Sequence, residues 1–110
     1  MTSTKQIPTR FQNIVYEALL KIPRGRVTTY KILARRIKCR SYRAVGQALR
    51  RNPFAPHVPC HRVIASDLTI GGFKGYKTGK PIEQKFRLLG SEGVSFHKGR
   101  LANPALIYRF

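Results

Sequence analysis

Apolar side chains recur at helical spacing in the first half of this 110-residue chain, and turn-forming residues separate the apolar stretches. A potential capping box at Thr9 and Gln12 opens the first stretch, which ends at Pro23 and Gly25. The second stretch follows Thr28 or Thr29, either of which can cap a helix. Its apolar positions are Tyr30, Leu33, Ala34 and Ile37. The pattern therefore predicts two helices in the first third of the chain.

A third predicted helix has two faces of different character. Ser41 can cap this helix, and Asn52-Pro53 stops it after about Arg51. At 3.6 residues per turn, one face is apolar and the other is basic and small. The apolar face carries Val45, Ala48 and Leu49, and the opposite face carries Arg43, Gly46, Gln47 and Arg50. The short connection at 38–40 joins two helices, and the second helix has a basic outer face. This arrangement predicts a helix-turn-helix.

The pattern after the third helix is shorter and more broken. We expect residues 54–59, with their prolines, to be extended. Residues 62–65 predict a short apolar strand, and residues 68–80 are rich in glycine and lysine and predict a loop.

A fourth helix and a hairpin complete the predicted fold. Pro81 can open the helix, which ends near Gly90 and Gly93. Its predicted inward positions are Ile82, Phe86 and Leu89. Residues 94–97 and 100–101 are spaced for the hairpin, and the apolar residues near the end predict a docked segment: Leu106, Tyr108 and Phe110.

The expected fold class is mainly α with short β elements. It is a winged-helix-like helix-turn-helix domain of three to four helices. We expect residues 9–110 to form this single domain and residues 1–8 to form a flexible tail.

The charge balance indicates the kind of partner. The net charge is +18, from 22 lysines and arginines against 4 aspartates and glutamates. No acidic residue lies between Glu17 and Asp67, the segment that contains the predicted helix-turn-helix. Self-repulsion on this scale favours a polyanionic partner, whose phosphates release counterions on binding. The alternative is a solvated basic face with no specific partner.

Other classes of protein fit less well. No long apolar segment or basic amphipathic helix indicates a membrane partner, and the polar residues 1–10 are unlike a signal peptide. Two cysteines cannot form a disulfide framework, which favours a reducing cytoplasmic setting, nucleoid-associated in a prokaryote. The histidines show no zinc-like spacing with the cysteines, so we expect no metal.

Gly46 is unusual because it lies inside a predicted helix, where glycine costs about 1 kcal/mol relative to alanine. We interpret it, together with the small Ala44, as a place where another surface approaches closely. A smooth helix flanked by arginines can enter a nucleic-acid groove.

The stretch Pro59-Cys60-His61-Arg62 carries the candidate chemistry. A basic, proline-constrained turn predicts a thiolate at Cys60, and Arg62 is expected to favour that anion. His61 can accept the thiol proton, and Glu92 can orient His61 as in a catalytic triad. The alternative is an inert core cysteine beside a chance histidine. The second cysteine, Cys39, has no adjacent histidine and is interpreted as a small turn residue.

These residues resemble the C-terminal domain of the O6-alkylguanine-DNA alkyltransferases. The resemblance covers residues 9–96 and rests on four blocks in order: 25–30 (GRVTTY), 43–46 (RAVG) continuing to Asn52-Pro53, 59–64 (PCHRVI) and 88–93 (LLGSEG). It implies direct-reversal DNA repair by a monomer that binds the minor groove of double-stranded DNA and flips an O6-alkylguanine. The alkyl group then moves irreversibly to the cysteine, once per molecule and without a cofactor.

The resemblance also implies a role for each matching residue. Cys60 is the acceptor, His61 activates it through water, and Glu92 holds His61. Tyr30 contacts N3 of the base and donates a proton, Arg43 replaces the flipped base, and Asn52 fixes the turn before the cysteine. The carbonyls of Cys60 and Val63 read the exocyclic amine, and a backbone N–H near Lys74 meets O6.

Each of these residues also has an ordinary interpretation. Tyr30 can be a core aromatic and Arg43 a solvated charge. Asn52 can be only a helix stop, and Glu92 can merely end the fourth helix.

The chain departs from the family pattern in three respects. The family usually carries a separate N-terminal domain, and none fits before Thr9. Many members have tyrosine where this chain has Phe73 and a small residue where it has Lys74. Phe73 can still pack on a base, whereas Lys74 narrows the pocket or adds a phosphate contact. The tolerance for bulky alkyl groups therefore stays open.

Two other functions stay open as well. Alkyltransferase-like damage sensors share this scaffold but usually have tryptophan at the cysteine position. A small basic DNA-binding protein without chemistry would leave the cysteine and glutamate blocks unexplained.

Overall fold

The computed structural model describes residues 7–110, so most of the predicted tail at 1–8 lies outside the described residues. The four helices are α1 (Arg10–Leu19), α2 (Tyr30–Arg36), α3 (Tyr42–Arg50) and α4 (Lys80–Ser91). The short strands are β1 (Thr28–Thr29), β2 (Val63–Ile64), β3 (Phe96–His97) and β4 (Arg100–Leu101). The predicted fold class, mainly α with short β elements, is confirmed.

The first three helices begin where the sequence predicts. Thr9 and Gln12 form both hydrogen bonds of a capping box at α1. The hydroxyls of Thr29 and Ser41 accept backbone N–H groups at the starts of α2 and α3. Since a side-chain cap satisfies an otherwise unpaired amide, each cap fixes the helix start by chemistry visible in the sequence. The helix-turn-helix consists of α2, α3 and the turn between them.

One pair of strands joins sequence-distant parts of the chain, and the other forms a local hairpin. β1 pairs in parallel with β2, with Thr28 opposite Val63, and β3 pairs antiparallel with β4. Tyr30 directly follows β1, and the Cys60 turn directly precedes β2. The parallel pair therefore brings the start of the helix-turn-helix next to the cysteine.

The last segment docks on the domain as predicted. A bridge joins Val27 to Ile107, and the side chains of Tyr108 and Phe110 pack against the main core. Within residues 7–110, no helix combines the length and hydropathy needed to cross a bilayer.

The predicted inward face of α4 is partly wrong. Ile82 and Leu89 are buried as expected, but Phe86 is 40% exposed and Lys85 is fully buried. Positions 82, 85 and 89 share one face at helical spacing, and a lysine there disguises the pattern. Phe86 instead packs edge-on against Phe96, at 5.3 Å between ring centres.

Residues 54–59 form a series of turns and are not extended. The backbone N–H of Val58 donates to the carbonyl of Phe54 over 3.1 Å, which closes one of these turns. A single 3₁₀ turn, Cys60–Arg62, follows, so the predicted strand at 62–65 begins only at Val63. Local hydrogen bonds thus stabilise turns here in place of an extended backbone.

Candidate active site and nucleic-acid interface

Cys60 opens the 3₁₀ turn and is 7% exposed. Asn52 shapes the turn before it. Its Nδ2 donates to the carbonyl of Val58 over 2.8 Å, and its Oδ1 accepts the N–H of Phe54 over 2.9 Å. Asn52 therefore bridges the end of α3 to the cysteine turn, and it is more than a helix stop.

The predicted thiolate at Cys60 is wrong for the free protein. Burial raises the pKa of the thiol. The hydrogen bond from Asn52 and the charges of Lys85 and Lys74 lower this pKa, but they do not outweigh burial. The resting group near neutral pH is therefore a thiol, and its proton has to leave during any reaction at sulfur.

His61 and Glu92 form a buried pair beside this thiol. Nε2 of His61 lies 3.0 Å from Oε2 of Glu92. Burial tends to raise the pKa of Glu92, but the hydrogen bonds from Arg62 and His61 outweigh it and lower that pKa to about 2. Because Glu92 is ionised, Nε2 of His61 carries the hydrogen and donates it.

The other ring nitrogen of His61 is the basic one. Burial lowers the pKa of His61, so the ring is neutral near pH 7. Nδ1 is buried and has no hydrogen-bond partner among residues 7–110. A neutral imidazole with a free lone pair next to a thiol is suited to accept the thiol proton.

Arg62 does not support the cysteine as expected. Its Nε and Nη2 each donate to one oxygen of Glu92 over 2.9 Å, and its Nη1 donates to the carbonyl of Ile22. All three guanidinium nitrogens thus donate hydrogen bonds to Glu92 or to the backbone. Arg62 orients the carboxylate, and the cations that act on Cys60 are Lys85 and Lys74.

Lys85 is the site residue that sequence reasoning missed. Its Nζ donates to the carbonyls of Val63, Ile70 and Gly72, at 2.8, 2.6 and 2.9 Å. Burial lowers the pKa of Lys85 to about 7. Lys85 therefore links β2, which directly follows the Cys60 turn, to the glycine-rich loop. The sequence did contain a signal for this role, because Lys85 occupies a core position in the helical pattern of α4.

A cavity of about 300 Å³ joins the cysteine to the basic helix. Cys60 and Tyr30 line it, together with Arg43, Gly46, Gln47 and Arg50 of α3 and residues 72–77 of the glycine-rich loop. Burial raises the pKa of Tyr30, so its phenol keeps its proton and can donate it. Most of the predicted base-binding and nucleic-acid-binding residues thus meet at one opening.

The other predicted binding residues are not all at this opening, since Val63 is buried and does not line the cavity. Ala44 lines a neighbouring cleft that it shares with Arg43 and Gln47. Phe73 is buried, whereas Lys74 is exposed at the cavity edge. The carbonyl of Val63 accepts the bond from Lys85 described above.

The surface of α3 is open at Gly46. A Cβ atom built at this position meets no atom within 4 Å outside its own helix backbone. Packing within the protein therefore does not require glycine here. At Gly75, by contrast, a Cβ would lie 2.8 Å from Nε of Arg50, so the flexible arginine side chain would have to shift. Arg50 consequently packs closely on the loop that forms the far wall of the cavity.

No group of three or more histidine, cysteine, aspartate or glutamate side chains is placed to hold a metal ion in the described part of the chain. The site consists of a thiol, a histidine–glutamate pair, a phenol and a buried lysine. This set can carry out nucleophilic transfer to sulfur with a proton moved to histidine.

Comparison with known proteins identifies the family. The sequence model of the family described as "6-O-methylguanine DNA methyltransferase, DNA binding domain" matches residues 10–94. The chain belongs to this family. Among curated relatives, the methylated-DNA–protein-cysteine methyltransferase of Methanosarcina barkeri is 51% identical over 77 residues, which are 69% of this chain and 47% of that protein. This chain of the 6-O-methylguanine DNA methyltransferase family spans about half the length of the curated relatives it matches.

Solved structures show the same fold. Mycobacterium tuberculosis OGT in complex with DNA is 40% identical, with a TM-score of 0.69 over 78% of this chain and 51% of that one. S. pombe Atl1 in complex with damaged DNA containing O6-carboxymethylguanine is 30% identical, with a TM-score of 0.79 over 94% of this chain and 100% of that one. The recognition made from the four sequence blocks is confirmed.

Proposed function

We propose that this protein repairs DNA directly, by moving an alkyl group from O6 of guanine to the sulfur of Cys60. One observation carries the proposal. The cysteine lines a cavity that opens onto the arginine-flanked face of α3, and the next residue, His61, is a neutral histidine held by an ionised glutamate. A basic helix face that binds phosphates and a thiol within a base-sized cavity suit chemistry on a flipped base.

The reaction balances without a cofactor. Nδ1 of His61 takes the thiol proton through a bridging water, since it has no direct hydrogen bond to the sulfur, and the sulfur attacks the alkyl carbon. The S–C bond forms as the C–O6 bond breaks, and the electron pair of that bond stays on guanine. Tyr30 delivers a proton to the leaving base, and the proton on His61 restores the phenol. The products are unmodified guanine and an S-alkylcysteine thioether, which nothing in the site can cleave.

The nucleic-acid side of the proposal rests on the same helix. α3 enters the minor groove, with Gly46 and Ala44 allowing close approach and Arg43 filling the gap left by the flipped base. Gln47 and Arg50 bind alongside. The carbonyls of Cys60 and Val63 face the exocyclic amine, and Phe73 packs on the ring. The partner is double-stranded DNA carrying O6-alkylguanine, bound by a monomer in the cytoplasm or nucleoid.

Intact-protein mass tests the transfer. After incubation with a duplex containing one O6-methylguanine, the protein should gain the mass of one methyl group. The gain should saturate at one group per molecule and should be absent in Cys60→Ala. Repeated turnover by one molecule would exclude the irreversible mechanism.

A damage sensor is the second candidate. The match to the whole length of S. pombe Atl1, and the raised pKa of the Cys60 thiol, favour it. Lesion-selective binding with unchanged protein mass would support this function. Binding without lesion preference would indicate a plain DNA-binding domain.

A further inference from the structure

A second cavity, of about 160 Å³, adjoins the reacting sulfur. It shares Cys60, Phe73 and Lys74 with the base-sized cavity, and His61 also lines it. A water molecule occupies ~30 Å³ in the liquid, so the space holds a substituent of several heavy atoms. Because Cys60 lines both cavities, the smaller one offers space next to the sulfur for a group attached to O6.

The walls of the second cavity differ in polarity. Ala55, Pro56 and Leu88 make one part apolar, and the Lys74–Gln84 pair forms a polar part. Nζ of Lys74 donates to Oε1 of Gln84 over 3.2 Å and lies 5.3 Å from the centre of the Phe73 ring.

The charge of Lys74 is not neutralised by a carboxylate. None of the residues that line either cavity is acidic. Glu92, the acid of the adjoining site, is held by His61 and by two nitrogens of Arg62. Lys74 also lowers the pKa of Cys60, which indicates that its charge acts at the reacting sulfur. A cavity with an unpaired ammonium suits an anionic substituent better than a neutral one of the same size.

We propose that Lys74 determines specificity, and that it favours guanines whose O6 substituent carries a carboxylate. This inference rests on the alkyl transfer proposed above. With O6-carboxymethylguanine, the sulfur of Cys60 bonds to the methylene carbon as the bond from that carbon to O6 breaks. The electron pair stays on guanine, which takes up a proton, and the carboxylate remains on the new thioether. Lys74 pairs with this carboxylate throughout, and Gln84 holds the ammonium in place beforehand.

The test compares two lesions in one duplex sequence. Single-turnover rate constants for transfer from O6-carboxymethylguanine and O6-methylguanine are measured by protein mass, and their ratio is taken for each variant. Losses of general DNA affinity cancel in this ratio. Lys74→Met should lower the ratio about three- to tenfold, as for a partly exposed ion pair. Lys74→Arg should retain the ratio, and Gln84→Glu should lower it by placing an acid next to the ammonium.

Lys21→Met is the charge-matched control, because Lys21 is exposed and lines neither cavity. It should leave the ratio unchanged. Equal slowing of both lesions by Lys74→Met would overturn the inference and make Lys74 a phosphate contact. If the wild-type protein transfers neither group, the proposed function fails on its own. The affinities of Cys60→Ala for the two duplexes then decide the Lys74 preference, and equal affinities would refute it.

Discussion

The ammonium of Lys85 lies 2.8 Å from the carbonyl oxygen of Val63, three residues after Cys60. The same ammonium also holds the carbonyls of Ile70 and Gly72. A fully buried lysine is costly to keep charged, and here three backbone acceptors replace only part of the lost hydration. The contact between β2 and the glycine-rich loop therefore depends on one titratable group.

Stability should consequently rise with pH in a defined window. Burial lowers the pKa of Lys85 from 10.5 to about 7, so between these values the unfolded chain binds more protons than the folded one. The free energy of unfolding should increase across this window by about 2 to 4 kcal/mol from this group. Denaturant unfolding of the wild type and Lys85→Met from pH 7 to 10 measures it. A constant difference between the two proteins would show that folding does not lower the pKa of Lys85, which would contradict the prediction.

Sequence reasoning succeeded where short-range chemistry determines the structure. The caps at Thr9, Thr29 and Ser41 are local, and each helix begins as predicted. It failed at Lys85 and Arg62, because the partners of both side chains are distant in sequence. No pattern along the chain shows that Arg62 turns to Glu92, 30 residues away, instead of to the adjacent cysteine.

The thiol at Cys60 illustrates the same limit. Neighbouring basic residues suggested a thiolate, but the pKa depends on burial, which is a property of the assembled fold. The prediction that Phe86 points inward is wrong for a related reason. The helical spacing predicts Phe86 inward, but Lys85, which donates to buried carbonyls, occupies that face.

Transfer should depend weakly on pH when histidine takes the proton. Burial raises the pKa of the Cys60 thiol and lowers that of His61, so the neutral pair prevails around neutral pH. At saturating duplex, the wild-type rate should change by less than about threefold from pH 7 to 8.5. In His61→Gln the rate should instead rise about tenfold per pH unit, because only preformed thiolate reacts. Parallel pH profiles in both proteins would remove the general-base role of His61.

Glu92 should stabilise the fold above its unfolded pKa and lose this effect in acid. Its pKa is lowered from 4.5 to about 2, so the folded carboxylate resists protonation and stability falls as pH decreases through this interval. The contribution is at most about 3 kcal/mol, and about half of that after allowance for solvent screening. Below pH 4.5, the unfolding temperature of Glu92→Gln should fall less steeply with decreasing pH than that of the wild type; this part of the curve is called the acid limb.

Glu83→Gln is the matched control for this change. Glu83 lies in the first turn of α4, the helix that Glu92 caps at its C-terminal end, and is exposed. It has no hydrogen-bond network comparable to that of Glu92, so its replacement should preserve the acid limb. Glu92→Gln should also slow transfer, since it releases the ring of His61 and leaves Arg62 without its carboxylate. Unimpaired transfer in Glu92→Gln would contradict the positioning role.

Gly46→Ala should separate stability from DNA binding. Space for a Cβ exists at this helical position, so alanine should stabilise the free protein by up to about 1 kcal/mol through its higher helix propensity. The added methyl group should nevertheless weaken binding to duplex DNA, because it lies on the face between Arg43 and Arg50 that is proposed to enter the groove. Thermal unfolding and duplex affinity, measured on the same samples, give the two quantities.

Gly90→Ala provides the comparison that makes this result specific. Gly90 lies inside α4, and a Cβ there also meets nothing within 4 Å, but the position is outside the helix-turn-helix. It should gain stability by a similar amount and keep its affinity for DNA. If Gly46→Ala and Gly90→Ala behave alike in both measurements, the glycine in α3 has no role in close approach. A loss of affinity in Gly46→Ala alone would place a partner surface within a methyl radius of α3, since no intramolecular contact accounts for it.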